Sequence, residues 1–212
     1  MKSNWNKALQ IKSYRYKLFG GILLLIAILA FLPYFFGSIE KRNGKELADA
    51  VLDWLPAADL SLPVFFLIWG SCGLLIYRLT TAPVIMIRIL WAYNLLTLLR
   101  MISISLISLN PPANLVPLAD PVTNFFYGRH HYITHDLFFS GHTASVALIF
   151  FCLKQKWDRI LTGIATVLLA FFLLVQHVHY TVDVIAAPFF TWLMYRVALR
   201  MTDRETRLLT TG

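Results

Sequence analysis

Six apolar runs leave this chain of 212 residues little freedom in what it can fold into. They span residues 18–36, 62–79, 83–109, 137–153, 160–178 and 182–199. About 20 helical residues cross the hydrocarbon of a bilayer, where a helix satisfies its own backbone N–H and C=O groups. The runs therefore predict an all-α polytopic membrane protein with six transmembrane helices in a single membrane-embedded domain over 1–212. Charge agrees, since Asp, Glu, Lys and Arg make up 14% of the chain against about 25% in a soluble domain. The first run follows a basic leader, 1–17, and ends in Pro33-Tyr34-Phe35-Phe36-Gly37 without a small-residue cleavage pattern. It is expected to be a membrane helix rather than a signal peptide.

A formal charge of +8 would suit nucleic acid, but the charges collect at the ends of the apolar runs, so no nucleic-acid partner is expected. The leader holds Lys2, Lys7, Lys12, Arg15 and Lys17. Arg78, then Lys154, Lys156 and Arg159, then Arg196, Arg200, Arg204 and Arg207 fall on the same side if all six runs cross. The positive-inside rule puts that side, with both termini, in the cytoplasm. Lys41, Arg42, Lys45 and Arg129 fall opposite, and Arg88 and Arg100 lie within the third run. In the external loop 38–61, Leu47, Val51, Trp54 and Leu55 share one helical face, which predicts an amphipathic helix on the membrane surface or over the bundle. Cys72 and Cys152 each lie inside an apolar run and read as small buried residues.

All six histidines lie between His130 and His179, the last three in two stretches, residues 135–143 and 177–184. Ionisable groups beside hydrocarbon read as a functional site. The topology brings His142, His179, Asp183 and Arg100 to the non-cytoplasmic leaflet. His179 and Asp183 are spaced i, i+4 and would share a face if helical. A carboxylate on one imidazole nitrogen fixes the tautomer and leaves the other as an oriented nucleophile or base. His142 can supply the complementary proton transfer, and Arg100 offers a planar fork for phosphate oxygens. These groups suit phosphoryl transfer through a phosphohistidine. A rival reading is a metal-binding membrane protein or transporter using His131, His135, His142, His177 and His179. The cluster lacks Cys and Glu ligands, and the chain has no inverted repeat. His130 and His131 read as a solvated loop, and His177 as a support of the site or a helix cap.

The two stretches resemble the active-site motifs of the sphingomyelin synthase family, within the type 2 phosphatidate phosphatase superfamily. Asp136, Ser140, Gly141, His142 and Thr143 follow its Asp-x-x-x-Ser-Gly-His-Thr. His179, Tyr180, Thr181, Asp183 and Val184 follow its His-Tyr-Thr-x-Asp-Val, with Ala187 and Thr191 downstream. Arg100, Ile102, Ser103, Ser108 and Leu109 follow the spacing of a third motif, with Ser standing for Thr. The resemblance implies a six-helix fold with its site on the outer leaflet. His179, oriented by Asp183, would attack the phosphorus of a glycerophospholipid donor and expel diacylglycerol. His142 would protonate the leaving oxygen, then deprotonate ceramide or another lipid acceptor. Arg100, Ser140, Gly141 and Tyr180 would bind phosphate, supported by Asp136, Thr143, His177 and Thr181. No metal or other cofactor is implied.

Lipid phosphatases of the superfamily also carry Lys-x6-Arg-Pro, and no Arg-Pro occurs here. That favours head-group transfer over monoester hydrolysis, with a lipid phosphatase or phospholipase C-like hydrolase as the alternative. Thr134 and His135 replace a Cys-Gly common in the family, Pro188 stands where an aromatic residue is common, and Arg129, His130, His131 and His135 form an added cluster. These departures bear on head group and acceptor rather than on the chemistry. The compact chain resembles bacterial members more than animal ones, which implies a bacterial inner membrane rather than a Golgi or plasma membrane.

Overall fold

The computed structural model describes residues 2–118 and 133–210, so Arg129, His130 and His131 lie outside the described residues. The described chain is helical without strands. Helices α1 (Lys2–Gln10), α2 (Lys12–Ile39), α3 (Ala50–Trp54), α4 (Ser61–Leu79) and α5 (Pro83–Leu106) come first. Then follow α6 (Gly141–Cys152), α7 (Lys156–Val175), α8 (Thr181–Met201) and α9 (Asp203–Thr210). Pro83 starts α5 at a first-turn position, where its missing N–H costs nothing. Helix α8 packs on α6 and α5, α2 on α5, and α7 on α6 and α4. Leu148, Ile149 and Cys152 of α6 meet Leu96 of α5 and Ala187 of α8 in the central core. Phe66, Trp69, Phe171, Ile185 and Phe189 point outward. Such an apolar exterior suits lipid rather than water.

Five helices, α2, α4, α5, α7 and α8, are long and apolar enough to cross a membrane. The fourth run does not yield a full span: 137–153 was expected to be helical, but α6 begins at Gly141 and has 12 residues. The residues before it are non-helical, and their carbonyls are taken from the side. Arg100 Nε donates to the Phe139 carbonyl at 3.0 Å, and Ser103 Oγ lies 3.0 Å from that of Phe138. Irregular backbone at this depth is tolerated where protein partners satisfy it. Ser140 then caps the helix, accepting the Thr143 N–H at 3.4 Å.

The leader is built into the bundle. Ala8 and Tyr14 are fully buried, the Tyr14 hydroxyl donates to the Pro83 carbonyl at 2.9 Å, and Lys17 pairs with Glu205 at 2.7 Å. Helices α1 and α9 thus lie at one end, the terminal end; the two motifs lie at the other, the site end.

The loop 38–61 forms the short helix over the bundle, but not on the expected face. Only the short α3 forms there, capped by the Asp49 carboxylate. Leu52 is its buried residue, while Leu47, Val51 and Trp54 are exposed, Trp54 at 89%. Tertiary contacts, not periodicity, chose the buried side. Lys45 pairs with Leu109 in an isolated parallel bridge, and Arg42 donates to the carbonyls of Ile104 and Ser105.

Candidate active site

The N-terminus of α6 and the start of α8 are joined by one backbone hydrogen bond, from Ser140 N–H to the Asp183 carbonyl at 3.1 Å. This bond sets the Ser140-Gly141-His142-Thr143 turn beside the His179-to-Asp183 turn. His142, half-buried, is the second residue of α6. First-turn amides and the helix dipole favour negative charge there.

Arg100 completes this corner from α5. Its Nη2 donates to Asp136 Oδ1 at 2.7 Å and its Nε to the Phe139 carbonyl at 3.0 Å. One edge of the guanidinium is therefore fixed by protein, and the edge bearing Nη1 lies over Gly141. A Cβ at position 141 would stand 2.4 Å from Nη1 and 2.6 Å from Cζ. Any larger residue here must move the arginine, whose guanidinium occupies that volume. Gly141→Ala should displace the guanidinium and break its two anchoring bonds. We expect kcat/KM to fall about 10²-fold, the size of effect an ångström of misplacement produces, with thermal stability of the purified protein near wild type. Turnover within about twofold of wild type would show that the Arg100 position does not matter to the reaction.

His179 and Asp183 meet as their spacing suggested, but not on a helical face. His179 precedes α8, Tyr180 is its N-cap, and Asp183 stands in its first turn. Asp183 Oδ2 accepts the Tyr180 N–H at 3.1 Å and lies 3.3 Å from His179 Nδ1. The carboxylate thus caps the helix and orients the imidazole at once. With Nδ1–H on the carboxylate, the lone pair of Nε2 is left for chemistry. His179 and Asp183 are 3% and 0% exposed, so this pairing is made away from bulk water. Asp183 Oδ1 and Thr143 Oγ1 are buried without a hydrogen-bond partner among the described residues, and orphans of this kind call for a functional explanation.

Other expected site residues take supporting positions. Tyr180 was expected on the phosphate, but it is buried and its hydroxyl is committed to loops: it donates to the Asn110 carbonyl at 3.0 Å and accepts the Leu47 N–H at 3.3 Å. Ser140 likewise has its hydroxyl on the Thr143 N–H and its own N–H on Asp183. These bonds hold the two turns, and the Ser140 hydroxyl keeps a proton to donate. Thr181 donates its N–H and hydroxyl to Asp49, at 2.6 and 2.9 Å. Burial alone would raise the Asp49 pKa, but the hydrogen bonds from Thr181, Val51 and Leu52 outweigh it and hold the carboxyl below its ordinary value. His177 has left-handed backbone, φ 54°. Its Nδ1 and Nε2 lie 2.9 and 3.0 Å from the carbonyls of Ala113 and Leu55. With a backbone carbonyl at each ring nitrogen, this side chain ties two loops together.

Sequence reasoning missed Glu40 and Asp49. Glu40, just past α2, accepts the N–H groups of Thr134 and His135 at 2.6 and 2.8 Å, and its Oε2 lies 3.1 Å from His135 Nδ1. The two residues that depart from the family pattern are thereby fixed next to Asp136. Of the histidines in the metal reading, His135 faces Glu40, His177 two carbonyls and His179 Asp183, and His131 lies outside the described residues. Among the described residues no three His, Cys, Asp or Glu side chains are grouped to hold a metal ion.

Residues 135–200 match the family model described as PAP2 superfamily C-terminal. The match takes in both motifs and leaves Arg100 and α1 to α5 outside it. It supports the type 2 phosphatidic acid phosphatase superfamily, whose members are generally phosphatases or phosphotransferases. No curated protein matches the chain.

Proposed function

We propose that the chain is a metal-independent phospholipid head-group phosphotransferase of the sphingomyelin synthase type. It moves a phospho-alcohol from a glycerophospholipid to a lipid hydroxyl such as that of ceramide. The observation that carries this reading is the pairing of an oriented imidazole with a half-anchored arginine, joined by the Ser140–Asp183 bond. His179 Nε2 attacks phosphorus, and the bond to the diacylglycerol oxygen breaks as His142 protonates it. The acceptor hydroxyl then gives its proton to His142 and attacks phosphorus, and the P–N bond breaks to regenerate His179. The open edge of Arg100 holds the phosphoryl oxygens while their charge builds.

A lipid donor is supported by the surroundings of Arg100. A cavity of about 60 Å³ adjoins it between α2, α5 and α6, lined by Leu32, Phe35, Leu96, Ile104, Gly141 and Ala144 among others. With both termini cytoplasmic by the charge rule, the site faces the opposite leaflet of what we take to be a bacterial inner membrane.

The superfamily match equally favours a hydrolase in which water takes the place of the lipid alcohol. The test supplies phosphatidylcholine or phosphatidylethanolamine with and without ceramide, or with diacylglycerol as the acceptor, and separates the products by chromatography. Acceptor-dependent formation of a new phospholipid with stoichiometric diacylglycerol is expected. Free phosphocholine or phosphoethanolamine at the same rate with and without acceptor would establish the hydrolase instead.

A further inference from the structure

Charge at the terminal end of the bundle does not balance. The described carboxylates there are Asp158, Asp203 and Glu205, and each already has a cation. Asp158 takes Arg78 through both oxygens at 2.8 and 3.0 Å, Glu205 takes Lys17, and Asp203 takes Arg207. Arg88, Lys154, Arg159 and Arg196 have no carboxylate partner among the described residues.

These four cations come from separate elements and converge. Arg88 lies within α5, about a turn and a half from Pro83. Lys154 follows α6, Arg159 opens α7 and Arg196 is in the last turns of α8. Tyr195 is within electrostatic reach of Arg88, Arg159 and Arg196, and its ring stacks on Phe151 at 5.9 Å. The Arg159 guanidinium lies 5.0 Å from the Phe150 ring centroid. Lys154 is exposed to solvent on one side, and partial desolvation and the neighbouring Arg88 both push its pKa below its ordinary value. Arg88 Nε is itself buried without a hydrogen-bond partner among the described residues. A half-buried guanidinium inside a span, facing only like charge, is costly unless an anion joins it.

We propose that Arg88, Lys154, Arg159 and Arg196 form a binding site for the phosphate of an anionic phospholipid in the leaflet at the terminal end. The site is distinct from the catalytic corner, and the inference does not depend on the transferase reading. A phosphate diester supplies the missing negative charge and acceptor oxygens for Arg88. The aromatic walls of Phe150, Phe151 and Trp192 suit the glycerol and upper acyl carbons of a lipid better than a free ion. Trp157, exposed at the start of α7, belongs to the aromatic belt expected where headgroups begin.

The test is native mass spectrometry of the full chain in neutral detergent, titrated with phosphatidylglycerol, with phosphatidylcholine, and with inorganic phosphate as competitor. Phosphatidylglycerol is expected to stay bound at least about tenfold more tightly than phosphatidylcholine, and Arg88→Gln to remove that preference. Lys154→Gln with Arg159→Gln, both at exposed positions, should weaken it about fivefold per residue, the effect of one basic group near an anionic surface. Lys12→Gln with Arg15→Gln, equally basic but on α2 and outside the cluster, should leave it unchanged. The site end also accepts phospholipid, so the readout is the difference between variants. Equal retention by wild type and both cluster variants overturns the proposal, as does a matching loss in the Lys12 and Arg15 control. Displacement by millimolar inorganic phosphate would identify a free-anion site and overturn the lipid assignment.

Discussion

Replacing His179 by alanine is expected to abolish the proposed head-group transfer, lowering turnover by about 10⁴-fold or more, because the proposed nucleophile is lost. The fold should survive. The imidazole makes one described side-chain hydrogen bond, to Asp183, and Asp183 keeps its bond from the Tyr180 N–H when the ring is gone. Losing one partner of a buried pair costs about 1–3 kcal/mol, so the variant should unfold at a modestly lower temperature. Two measurements separate chemistry from folding. Turnover and thermal unfolding are compared in the same detergent, and the enzyme is quenched with donor labelled in its phosphate. Wild type should retain an acid-labile, base-stable label, as a phosphoramidate does, and His179→Ala should retain none. Normal turnover, or an equal label on the variant, would remove His179 from the nucleophile's role. His142→Ala should also lose turnover, by about 10²- to 10⁴-fold, since it withdraws only proton transfer.

Much of this site was legible in the sequence, for identifiable reasons. Lipid forces helices into long apolar runs, so the five full spans showed themselves by length alone. The same signal misled at Leu137, Phe138 and Phe139, which are apolar enough to continue a helix yet form the bent segment clamped by Arg100 and Ser103. The available hint was Ser140-Gly141, a good cap followed by a residue that leaves room for a guanidinium. His179 and Asp183 were paired correctly for the wrong reason: their spacing suits a helical face, but it also suits the residue before an N-cap and a carboxylate in the first turn. Glu40 and Asp49 stayed hidden because each is an ordinary loop carboxylate in sequence. Their partners, Thr134 with His135 and Thr181, are about 95 and 130 positions away, and no periodicity links residues so distant.

Asp183→Asn is the sharper probe of how the site works, and it should lower kcat by about 10³- to 10⁴-fold with little change in the fold, as a carboxamide does when it replaces the carboxylate that orients a catalytic imidazole. Asp183 Oδ2 accepts from both the Tyr180 N–H and His179 Nδ1. An asparagine that keeps its oxygen there preserves the helix cap and the imidazole tautomer. It then turns an NH₂ group into the place of Oδ1, which is buried and has no partner among the described residues. The opposite rotamer satisfies neither donor, because its NH₂ would face the Tyr180 N–H and force His179 to present Nδ1 as an acceptor, putting the proton on the attacking Nε2. Either way the negative charge is gone just where His179 gains positive charge on bonding to phosphorus. The phosphohistidine should therefore form more slowly even when the geometry holds. A pre-steady-state measurement of labelled enzyme should show a slower first step with the donor KM near wild type. A kcat within about threefold of wild type would mean that the carboxylate serves only as a helix cap, and that His179 needs no charged partner to attack.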